Sequence, residues 1–246
     1  MLFEERVQKY EYKLNDTDDQ IIEYIVKNKK EVVSLSIQSL AANLFTVPNT
    51  ITRLSKKLGY EGFSQLKNSL KEEIHTESNE QEDSLYFYIN KTFRLVDMNR
   101  IAIAAKMIRE APHVLFFGVG DSAPFCEMIV KDLKVVGKHS EFHIHRHEML
   151  YELNQLGNHD VLFLISLSGE TRQILEIAEI GKEKGITIIS LTHFGKNSLQ
   201  KLADINLYCF SPKKILNQYN VTDRTPIMIV LRILSEFYWK STGCCV

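Results

Sequence analysis

Residues 162–173 read LFLISLSGETRQ: an unbroken apolar run, then two serines, a glycine and a threonine within six positions, then the start of a helical pattern. Apolar residues without alternation mark a strand buried on both faces, as in a parallel sheet covered by helices. The next segment, TRQILEIAEIGK, repeats its apolar residues at helical spacing, so SLSGET is a strand-to-helix turn. In such a sheet these turns line the carboxyl edge, where ligands bind. A helix N-terminus offers unpaired amides and the positive end of its dipole, which suits an anion such as phosphate. Ser166, Ser168 and Thr171 add hydroxyl donors, and Gly169 lets the backbone come close with no side chain in the way. Amides and hydroxyls bind without supplying a full charge, so binding stays reversible, as sensing a metabolite requires.

Outward from this turn, the runs HVLFFGVG, SEFHIH, DVLFLISLS, TIISLTH and INLYCF alternate with helix-like segments such as SAPFCEMIVKDLKVVG. Alternating strands and helices predict an α/β unit with a parallel sheet. A second turn of the same kind, FFGVGDS, places Gly118, Gly120 and Ser122 at the same edge, with Glu170 of SLSGET as a further effector-site candidate. The dinucleotide fingerprint is excluded, because Ala123 stands where its third glycine belongs.

Residues 72–83, EEIHTESNEQED, hold six acidic residues and no Lys or Arg, as a solvated linker does. We divide the chain there: 1–76 an all-α unit, 77–88 an acidic linker, 89–246 the α/β unit. In the first unit, Thr17 and Gln20 have the spacing of a capping box for a helix to about Lys27, and Ser36 caps a second helix, SIQSLAANL. Pro48 opens a third, PNTITRLSKKL, which Gly59 ends. Val47 cannot cap it, so Thr46 is expected to take over. The spacing is that of a helix-turn-helix. Ile51, Leu54 and Leu58 share one face of the third helix, leaving Asn49, Thr52, Arg53 and Lys56 on the other. From Asn49 to Lys71 there are five basic residues against Glu61 alone. That excess predicts a helix in the DNA major groove, with Arg53 or Asn49 at base edges and lysines such as Lys56, Lys57 and Lys67 on phosphates.

GVGDS and SLSGETRQ together resemble the phosphosugar-binding signature of sugar isomerase (SIS) domains. The helix-turn-helix ending RLSKKLGYEGFSQLK resembles the N-terminal domain of RpiR-type transcriptional regulators. The resemblance spans nearly the whole chain. It implies a five-stranded α/β sandwich that binds a sugar phosphate, dimerises and controls DNA binding by the attached domain. It also implies that Ser166, Ser168 and Thr171 carry the phosphate, with Ser122 near sugar or phosphate.

The remaining features set bounds. A net charge of −1 shows no overall bias toward one kind of partner. Four cysteines without CxxC spacing, and no signal peptide or membrane-length apolar stretch, predict a cytoplasmic protein with no membrane partner. His143, His145 and His147 alternate along a predicted strand; with no carboxylate or cysteine at ligand spacing, we read them as a polar strand end rather than a metal site. A sugar-phosphate isomerase on the same sheet is the rival reading, with Glu148, Glu170 or Glu176 as base, but a DNA-binding unit favours a sensor that is not an enzyme and needs no cofactor. One helix-turn-helix contacts few base pairs, so a homodimer or dimer of dimers on a double-stranded operator is expected. The apolar C-terminal helix TPIMIVLRILSEFYW is a candidate for that dimer surface.

Overall fold

The structure, a computed structural model, describes residues 2–77 and 84–243. The chain forms two compact units, Met1–Phe87 and Tyr88–Val246. Part of the acidic stretch, 78–83, and the neighbouring Cys244 and Cys245 lie outside the described residues.

The first unit contains α1 (Phe3–Lys9), α2 (Asp16–Lys27), α3 (Lys29–Val32), α4 (Ile37–Asn43), α5 (Pro48–Lys57) and α6 (Phe63–Glu77). Their apolar faces meet in one core built on Phe3, Ile21, Ile25, Leu40, Ile51, Leu54, Leu58, Leu66 and Leu70. A buried polar knot ties α1 to α6: Glu73 accepts from the Phe3 amide at 2.6 Å, and Lys29 Nζ lies 3.3 Å from Glu4 and 3.4 Å from Glu73. Burial holds the Glu73 carboxyl above its ordinary range, with Lys29 opposing.

α4 starts as the sequence predicts, with Ser36 Oγ accepting from Ser39 N. α2 does not: its capping box joins Asn15 and Asp18, two residues before the Thr17–Gln20 pair. Pro48 opens α5 without any side-chain cap, so Thr46 does not replace the missing one. Gly59, at φ +77°, ends it as expected.

The division falls within α7 (Leu85–Leu95), and the second unit continues through α8 (Met98–Glu110), β1 (Val114–Gly118), α9 (Ala123–Lys134), β2 (Ser140–Phe142), α10 (Arg146–Gln155), β3 (Val161–Ile165), α11 (Arg172–Glu183), β4 (Thr187–His193), α12 (Ser198–Leu202), β5 (Ile205–Cys209), a hairpin of β6 (Ile215–Leu216) and β7 (Tyr219–Asn220), and α13 (Thr225–Ser241). The first five strands form one parallel sheet in the order β2-β1-β3-β4-β5. Successive side chains go to opposite faces. Phe116, Phe163, Ile165 and Leu191 join α8, α9 and α13 on one side, while Leu115, Phe117, Leu162, Leu164 and Ile188 join α10, α11 and α12 on the other.

Three elements depart from the sequence reading. SEFHIH yields only the three-residue β2, and His145 stands at the N-cap position of α10 without a side-chain cap bond, so the expected row of three histidines on one strand does not form. The β6–β7 hairpin was not foreseen; its turn is Asn217–Gln218, both with positive φ, as a two-residue hairpin requires. The apolar circumference of α13 is used internally: Ile227, Val230, Leu231, Leu234, Tyr238 and Trp239 are buried in the sheet core. On its other side Met228 is exposed and Ile229, Ile233 and Phe237 are half-buried.

Between α4 and α5, Phe45 holds φ +51° with its side chain 99% exposed. A left-handed backbone costs an ordinary residue about 1–2 kcal/mol, and an exposed ring returns no burial. Phe45→Asn, which tolerates this conformation, is expected to stabilise the protein by about 1 kcal/mol in urea titration.

Candidate functional site

The strand order reverses direction between β1 and β3, and a parallel sheet opens a crevice at the carboxyl ends of such a pair. GVGDS leaves β1 there and SLSGET leaves β3 there. The two turns therefore meet at one cleft of about 380 Å³, lined by Ser122, Ser166, Ser168 and Thr171 among others. Ser122 and Ser166 are buried at its base, and Ser166 Oγ lies 3.1 Å from Thr171 Oγ1. Thr171 sits at the N-cap of α11 but makes no side-chain cap bond, so its hydroxyl is not spent on the helix.

Gly169 is required twice over. Its φ is +62°, and a Cβ built there would stand 2.2 Å from Asn197 Oδ1. Asn197 is the N-cap of α12: its Oδ1 accepts from Gln200 N, and its Nδ2 donates to Thr192 Oγ1 and Gly195 O. Leu199 N donates to Gly169 O and Ser198 N donates to Glu170 Oε1. The turn after β3 is thus clamped by the turn after β4. Gly118 and Gly120 shape the other turn without lining the cleft: a Cβ at Gly118 would stand 3.1 Å from Ser122 and Cys126, and Gly120 adopts φ +61°. Glu170 also stands outside the lining, occupied with Ser198.

The structure brings in residues that the sequence reading missed. His193, Lys196 and Asn197 come from the end of β4, Ser211 and Lys213 from beyond β5, and Thr222 and Arg224 from the segment before α13. The rule that ligands bind at strand carboxyl ends applied equally to β4 and β5 and would have pointed to them. They also correct the reading that the site supplies no full charge, since two lysines and an arginine line it. Arg224 is half engaged, with Nη2 2.9 Å from Asp121 and Nη1 donating to Thr222 O. His193 Nδ1 accepts from Ser211 N, which leaves the proton of the neutral ring on Nε2. None of the three candidate bases lines the cleft: Glu176 pairs with Arg146, Glu170 binds Ser198, and Glu148 faces His143.

On α5, Asn49, Arg53 and Lys56 are exposed and Thr52 is half-buried with its hydroxyl on Pro48 O, while Ile51 and Leu54 are buried as the spacing predicts. Two expected phosphate contacts have other partners. Lys57 Nζ is paired with the buried Asp18 carboxylate, and Lys67 Nζ donates to Leu35 O at 3.0 Å.

The family model for the helix-turn-helix domain of the rpiR family matches residues 1–77, and that for the SIS domain matches residues 107–236. The chain belongs to the RpiR family of regulators. The regulator GlvR of Bacillus subtilis is 28% identical over 97% of this chain and 95% of its own. The regulator RpiR of Escherichia coli K12 is 23% identical over 92% and 81%. Among solved structures, Vibrio vulnificus NanR complexed with ManNAc-6P superposes with a TM-score of 0.61 at 21% identity, covering 96% of this chain and 91% of that one. Within this RpiR-family chain no described helix is long and apolar enough to cross a membrane.

Replacing Gly169 with alanine forces a Cβ into Asn197 and a side chain into a left-handed backbone. The variant is expected to lose about 2–3 kcal/mol in chemical denaturation, the sum of the backbone penalty and a damaged α12 cap.

Proposed function

We propose that this regulator binds a phosphorylated sugar in the β1–β3 cleft and that binding changes the affinity of its helix-turn-helix for an operator. The observation that carries the reading is the convergence of GVGDS and SLSGET, with their hydroxyls, on one cleft at the strand switch point. The phosphate goes to Ser166, Ser168 and Thr171 at the start of α11, with Ser122 of the GVGDS turn near sugar or phosphate. Lys196, Lys213 and Arg224 supply the charge that hydroxyls lack. NanR, bound to a phosphorylated amino sugar, supports the same ligand class here.

Residues 1–76 then serve as the DNA-binding domain and 89–246 as the effector domain, joined by the acidic stretch. A homodimer presents two copies of α5 to half-sites about one helical turn apart. Arg53 reads base edges, because it is exposed midway along the outer face of α5.

Two variants test the two halves separately. Ser168→Ala/Thr171→Ala removes two donors for the phosphate and leaves the flanking strand and helix unaltered. Isothermal titration across a panel of sugar phosphates should show effector binding weaker by about two orders of magnitude. Operator affinity without effector should be unchanged, because a ligand shifts an equilibrium only through its different affinity for the two states. Normal switching by this variant would place the effector elsewhere. Arg53→Ala should keep its fold yet lose about 1–3 kcal/mol of discrimination between operator and random DNA in a competition binding assay. Unchanged discrimination would mean that another surface reads the sequence.

A further inference from the structure

A second cluster of ionisable side chains lies along the edge strand β2, and none of its residues lines the cleft. Glu141, the middle residue of β2, stands in register with Leu115 of β1. Leu115 packs with Met149 and Leu153 of α10, so Glu141 is on the face that α10 covers. His139 and His143, two residues to either side, follow the same alternation. Glu148 and Glu152 lie one turn apart on α10, each one residue before a buried position.

Glu141, His143 and Glu152 each offer a ligand atom, all within 4.8 Å of one another. Two carboxylates at that range repel unless a cation lies between them. No Lys or Arg ion pair reaches either one among the described residues; the neighbours of Glu141 at ion-pair range are histidines. His143 Nε2 is buried without a hydrogen-bond partner, 4.0 Å from Glu141 Oε2. A hydrogen bond would bring these atoms to about 2.7–3.2 Å. Two ligands each about 2.0–2.1 Å from one ion instead lie about 3–4 Å apart. The spacing therefore suits an ion, not a shared proton. The other ring nitrogen, Nδ1, lies 3.9 Å from Glu148 Oε2, beyond hydrogen-bond range, so Glu148 does not fix the ring.

We propose that Glu141, His143 and Glu152 hold one divalent transition-metal ion of the zinc class. One imidazole and two carboxylates favour such an ion over magnesium or calcium, which take all-oxygen sets. His113 and His139 form a second group around the same carboxylate, with His113 Nε2, also buried without a hydrogen-bond partner, 3.8 Å from Glu141 Oε2, but the ion is assigned to the His143 group. The rings of His113 and His139 stack at 4.2 Å and 19°, so their lone pairs run side by side and do not converge. The ion joins the three-residue edge strand to the helix that follows it.

The test is calorimetric titration of untagged, chelator-stripped full-length protein with zinc chloride, repeated with cobalt(II) chloride and read by visible absorption. Cys244→Ser/Cys245→Ser is the background, so that neither thiol competes for the added metal. One ion per chain is expected. Glu141→Gln and His143→Ala should each weaken binding at least about tenfold while their circular dichroism matches the parent. His139→Ala should bind within about twofold of the parent. Absence of binding by the parent would overturn the proposal. So would loss of binding in His139→Ala with His143→Ala unaffected, since the ion would then sit on the stacked pair.

Discussion

The sheet of the second unit is buried on both faces, and this constraint governs most of what surrounds it. Covered strands leave a ligand only the two edges where their ends emerge, and the carboxyl edge is where helices begin with unpaired amides. β1 and β3 are neighbours whose following helices leave toward opposite faces, α9 to one core and α11 to the other. The space between those departing helices is the cleft.

The clamp between Gly169 and Asn197 adds rigidity that the strand order alone would not provide. Asn197 caps a helix of only five residues while its side chain fills the position of a Cβ at 169. The hydroxyls of SLSGET bond within their own turn, Ser166 to Thr171 and Ser168 to the Glu170 amide, while the Gly169 carbonyl and the Glu170 carboxylate are held by the start of α12. An arrangement fixed in this way is preorganised, so a ligand need not spend binding free energy ordering it.

Much of this was legible because the signals are local. The unbroken run LFLIS, the hydroxyl-rich turn and the three-four spacing of Ile51, Leu54 and Leu58 all operate within a few residues. What escaped was set by distance along the chain. Lys213 and Arg224 reach the cleft from beyond β5, and no short window connects them to Ser166. The histidine row failed for a related reason: alternation in FHIHRH looks like a strand, but the chain turns into α10 at Arg146. The capping box slipped by two residues because Asn15 and Asp18 offered the same chemistry as Thr17 and Gln20, slightly earlier.

The engagement of Lys57 with Asp18 and of Lys67 with Leu35 changes what the basic face of the first unit means thermodynamically. Nucleic-acid affinity at moderate salt is largely the entropy of small cations released from the phosphates, in proportion to the number of protein charges that replace them. A lysine already neutralised by a buried carboxylate has its field cancelled close to home. A lysine on a backbone carbonyl keeps its charge but loses reach. The counterions displaced by α5 and α6 should therefore number fewer than the five basic residues between Asn49 and Lys71 suggest. Recognition then rests on a few well-placed groups, and less on a general attraction to any duplex.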